Sequence, residues 1–117
     1  MASEDVQNKT PKSIKAGPLT YEVRWDADKM YEHDYNGETS YRGRIIRLNP
    51  VMPDSQVPLT FIHEVLHAIG DAANINYWEY HKYENEKIID QIDLMARSLL
   101  LFMRANPKIV NWLVIDE

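Results

Sequence analysis

The stretch Phe61-Ile62-His63-Glu64-Val65-Leu66-His67-Ala68-Ile69 constrains this chain more than any other. Three polar side chains stand inside an otherwise apolar run. A helix that is apolar on nearly every side is a buried helix, and burying three polar groups without partners is costly. The spacing offers one explanation for all three. Residues four apart lie on one helical face, so His63 and His67 can present two imidazoles to a single cation. Glu64 sits one step round the helix, within reach of a water on that cation. Zn2+ is the usual ion for such donors. The plain alternative is two satisfied core histidines beside a surface glutamate, and Glu64 sits awkwardly in such apolar surroundings.

The flanks define the helix and what precedes it. Residues 51–57 form a loop among Pro50, Pro53 and Pro58. Asp54 or Ser55 can cap the coming helix, and Pro58 suits its first turn. The helix is expected from about Val57 to Ile69, with Gly70 just past its end. Upstream, Thr20-Tyr21-Glu22-Val23-Arg24-Trp25 alternates between apolar and charged residues, the pattern of a half-buried strand. Asn36-Gly37 signals a turn. Glu38 to Tyr41 reads as a second strand and Arg44 to Leu48 as a third, which Asn49-Pro50 stops. Asp26 to Asp34 reads as either a helical turn or a loop. Residues 1–18 are polar and aperiodic, contain Pro11, Gly17 and Pro18, and read as a flexible tail ahead of one domain over 19–117.

Downstream, residues 71–83 make a polar and aromatic connection that should rim any cleft beside the motif helix. Tyr77, Tyr80, His81 and Tyr83 are its candidates for contacting substrate or a developing oxyanion. From about Tyr83 a second long helix is expected, because Ile88, Ile89, Ile92, Met95, Leu99 and Phe102 follow the 3.6-residue period. Asn106-Pro107 ends it and can cap a short helix from Lys108 to Val114. The expected class is α+β: a small, mostly antiparallel sheet of about three strands packed on the motif helix and the second long helix.

A hydrolytic zinc site needs three protein ligands and one open position. The chain has no cysteine, so the third ligand must be a histidine or a carboxylate. His81, Glu84, Glu86 and Asp90, at the start of the second long helix, are the candidates.

The motif, with eighteen residues between His67 and the Glu86 of Asn85-Glu86-Lys87-Ile88-Ile89-Asp90, resembles the gluzincin metallopeptidases. That resemblance implies a minimal zincin-like fold with one Zn2+ ion. It implies that His63, His67 and Glu86 are the ligands and that Glu64 is the catalytic carboxylate. Asp90 would accept a hydrogen bond from a ligand histidine, which fixes its tautomer. The small size, Gly37-Glu38-Thr39 and the ending Arg104-Ala105-Asn106-Pro107 also look like compact ImmA/IrrE-like metallopeptidases of phages and mobile elements. The chain lacks the G-A-M-E-N motif of the gluzincin aminopeptidases and has no recognisable helix-turn-helix.

Together these features point to a zinc metallopeptidase, an endopeptidase acting on a peptide or protein substrate, with Glu64 as general base. The competing expectation is a non-catalytic, metal-stabilised regulatory or interaction protein of phage or mobile-element origin. A net charge of −5 argues against a nucleic-acid partner. No apolar run approaches transmembrane length and no signal pattern opens the chain, so a cytoplasmic protein without a membrane partner is expected. Nothing in the residues selects an oligomeric state.

Overall fold

The alternating segment forms the centre of the sheet. In the computed structural model, which describes residues 1–28, 36–73, 95 and 97–115, Leu19–Trp25 is strand β2. Tyr21 and Val23 are buried while Glu22 and Arg24 face solvent, the two-residue period of a strand with one covered face. Ser13–Ala16, here β1, pairs antiparallel with it. Gly37–Ser40 (β3) and Ile45–Leu48 (β4) form an antiparallel pair, and β4 runs parallel to β2. The resulting order is β1-β2-β4-β3. The class is α+β, as expected.

Residues 1–18 are folded into this domain, which corrects the expectation of a tail. Glu4–Lys9 is a short helix, α1, capped by Ser3 Oγ accepting from the Val6 N–H. Ala2 donates its N–H to the Pro50 carbonyl at 2.7 Å, and Ala2, Thr10, Ile14 and Ala16 are all buried. Gly17 and Pro18 form the two-residue link from β1 to β2. Gly17 has φ +60, a conformation that glycine adopts freely and that suits a tight hairpin. The strand escaped sequence reading because only Ile14 and Ala16 carry its inward face, too few for a visible period.

The motif helix, α2, spans Val57–Ala72. It lays Val57, Phe61, Val65, Ala68 and Ile69 on the sheet, against Tyr21, Ile46 and Leu48. Full burial of each large apolar side chain favours folding by about 1.5–3 kcal/mol. Its other flank is open: Leu59 and His63 are exposed. The helix is therefore covered on one side rather than buried all round. Its N-cap is Gln56 with no side-chain hydrogen bond. Asp54, expected to cap, lies in a 3-10 turn and instead accepts from the Ser3 N–H at 2.6 Å. That hydrogen bond holds the Asp54 carboxyl below its ordinary range. Gly70 lies inside the helix rather than beyond it. The last turn is tied to the sheet by Tyr21, whose hydroxyl donates to Asp71 Oδ2 at 2.7 Å. Burial first, and then Asp71, raise the Tyr21 hydroxyl far above its usual range.

Residues 97–105 are helical (α3), in keeping with the far part of the expected second helix, and Pro107–Val114 forms α4. Ile109 is buried, and Trp112 meets the Phe61 ring edge-on at 5.2 Å between centroids. Asn106 does not cap α4 with its side chain. Its amide bridges β1 and α3 instead. Nδ2 donates to the Lys15 and Phe102 carbonyls at 3.1 and 2.8 Å, and Oδ1 accepts from the Lys15 N–H at 3.3 Å. Two of these bonds occupy backbone groups on the outer edge of β1, the kind of edge that otherwise invites pairing with another chain. No helix among the described residues is long and apolar enough to cross a membrane.

Candidate metal centre

Helical geometry separates the motif's three polar side chains. Glu64 falls on the sheet-facing side and is 5% exposed, while His63 is exposed and His67 half-buried. The two imidazoles turn toward each other, with His63 Nε2 and His67 Nε2 3.3 Å apart. Two nitrogens bound at 2.0–2.1 Å to one tetrahedral ion stand about 3.3–3.4 Å apart. The spacing therefore fits a zinc ion held by both Nε2 atoms. Burial first, and then the neighbouring His63, push the His67 pKa down. That favours the neutral imidazole a metal requires.

Among the described residues no three histidine, aspartate or glutamate side chains are grouped to hold a metal. The proposed third ligand, Glu86, lies outside the described residues, as do the alternatives His81, Glu84 and Asp90. The same holds for Tyr77, Tyr80 and Tyr83.

Strand β3 and the turn after it supply partners that sequence reading missed. Residues two apart on a strand share a face, and Gly37 and Thr39 both meet α2. Thr39 Oγ1 stands 2.7 Å from Glu64 Oε1 and 3.2 Å from the Glu64 carbonyl oxygen. A hydroxyl has one hydrogen to give, and the nearer carboxylate oxygen takes it. A Cβ on Gly37 would lie 2.9 Å from Thr60 Cγ2 and 3.1 Å from Glu64 Oε2. Glycine is what lets the strand approach the helix this closely. Just past the strand, the Tyr41 hydroxyl lies 2.9 Å from His67 Nδ1. The sequence signal was the shared parity of 37, 39 and 41. It could not show which face of β3 meets the motif helix.

Burial is the largest influence on the Glu64 carboxyl and raises its pKa. Thr39 and His63 work in the opposite direction, and the Glu38 charge adds to the rise. Glu38 is itself engaged by Arg47, its cross-strand partner, at 3.2 Å. Arg47 also lies 3.8 Å from Asp26. This arginine, part of the basic run Arg42, Arg44 and Arg47, thus serves the sheet's own carboxylates.

Strand β4 lies inside the sheet and offers no open edge to a peptide. Its neighbours β2 and β3 occupy both of its sides. Among the described residues the edge beside the motif helix is β3. Comparison with known protein families, curated proteins and solved structures returns no match.

Proposed function

We propose that the chain is a zinc-dependent peptidase. The observation that supports this best is the 3.3 Å approach of the His63 and His67 Nε2 atoms. When bound, a zinc ion would supply a Lewis acid and a water made acidic near neutral pH. His63 and His67 would hold it through Nε2, with a further donor from the residues after α2. Glu64 serves as the base. Its raised pKa brings it nearer the operating pH, where proton transfer in both directions is efficient. Thr39 holds Oε1, so the carboxylate is oriented before a proton reaches it. An extended peptide would add to the edge of β3, since a strand edge binds such segments through main-chain hydrogen bonds. That favours an endopeptidase acting on unfolded or extended segments.

The burial of Glu64 supports a second reading, in which the histidine pair belongs to a non-catalytic metal clip and Glu64 only packs. One experiment separates the two. The protein and its Glu64→Gln variant are incubated with an unstructured protein substrate, with and without chelator. A peptidase cleaves only as the metal-loaded parent. A clip binds the metal and cleaves in neither form.

A further inference from the structure

The His67 ring is approached at both nitrogens. His63 stands at Nε2 and the Tyr41 hydroxyl at Nδ1, 3.3 and 2.9 Å away. The Tyr41 and His67 rings are tilted by 49° with centroids 6.4 Å apart, so Tyr41 meets the histidine through its hydroxyl rather than by stacking. Neutral imidazole carries one hydrogen. If Nε2 gives its lone pair to a cation, that hydrogen must sit on Nδ1, where it needs an acceptor. The Tyr41 oxygen is in place to be one.

We propose that Tyr41 is a positioning residue for the metal centre, accepting a hydrogen bond from His67 Nδ1 and thereby fixing the tautomer that turns Nε2 toward His63. This rests on the metal reading of the histidine pair and assigns that site a partner from the turn after β3. The role differs from that of Thr39. Thr39 orients the carboxylate, whereas Tyr41 orients a ligand. It also gives the 41–44 turn a function, since the turn carries Tyr41 at its first position and closes the hairpin through Arg44 at φ +54. Interactions that orient a ligand histidine typically strengthen metal binding ten- to a hundredfold.

The test compares the full chain with Tyr41→Phe, which keeps the ring and removes only the hydroxyl. Zinc affinity is measured by competition with a chromophoric chelator. In zinc-loaded protein labelled with 15N-histidine, NMR reads the His67 tautomer and the solvent exchange of its N–H. The parent should bind zinc with His67 as the Nδ1–H tautomer. The variant should bind about tenfold more weakly or worse, exchange that hydrogen faster, and melt unchanged when metal-free. Equal affinity and equal exchange would overturn the role of Tyr41 while leaving the metal site intact. Weaker binding with an unchanged His67 signal would overturn it too, since the hydroxyl would then act on the fold alone. A parent that binds no zinc would overturn both this proposal and the metal reading beneath it.

Discussion

Thr39 Oγ1 donates to Glu64 Oε1 at 2.7 Å, joining the edge strand to the motif helix. A hydrogen bond to a charged group contributes about 1.5–3 kcal/mol. In this site it sets the direction in which the carboxylate points. Thr39→Val keeps the shape and removes the donor. It should lower kcat roughly ten- to a hundredfold and leave zinc affinity unchanged, because Thr39 touches neither histidine. Steady-state kinetics on a cleavable peptide, alongside a metal titration, checks both halves.

A carboxylate as buried as Glu64 costs the fold stability when charged. Its raised pKa means that the folded chain holds the proton more tightly than the unfolded chain does. Stability from this group is therefore complete below the ordinary carboxylate pKa and is lost as pH rises through the raised value. Glu64→Gln keeps an acceptor for Thr39 and carries no charge. In chelator, the variant should melt above the parent at pH 7–8. The gap should shrink as pH falls toward 5, as thermal melts across that range will show. A gap that widens on acidification would contradict the burial argument.

Gly37 marks the closest approach of strand to helix. Adding one methyl there meets Thr60 Cγ2 at 2.9 Å, and overpacking of this kind costs about 1–3 kcal/mol. Gly37→Ala should lower the unfolding free energy by that amount, as a denaturant titration will show. It should also reduce activity, because Glu64 Oε2 lies in the same contact.

The Asn106 amide holds β1, α3 and the start of α4 together. Asn106→Ala would leave the Lys15 backbone and the Phe102 carbonyl short of partners, at about 1–3 kcal/mol. Urea denaturation should show that loss with little change in zinc affinity, since Asn106 stands on the opposite edge of the sheet from β3.

Much of this arrangement was readable from local pattern. The strict alternation of Tyr21, Val23 and Trp25 with Glu22 and Arg24 identified β2. The motif and Pro58 located α2, and Asn106-Pro107 separated the last two helices. What escaped reading depends on contacts between distant residues. Ile14 and Ala16 carry too little apolar signal to announce β1. Asp54 looked like a helix cap because its competitor, the Ser3 N–H, comes from 51 positions away. Thr39 and Tyr41 are ordinary strand and turn residues until the sheet order turns β3 toward His67 and Glu64. The proposed third ligand, Glu86, rests on spacing and resemblance.

Metal binding by the histidine pair is the claim on which the functional account depends, and calorimetric titration of the metal-free chain with Zn2+ tests it most directly. The account predicts one ion per chain, with binding lost in both His63→Ala and His67→Ala while each variant stays folded. Absence of binding by the parent, or undiminished binding by both variants, would contradict it.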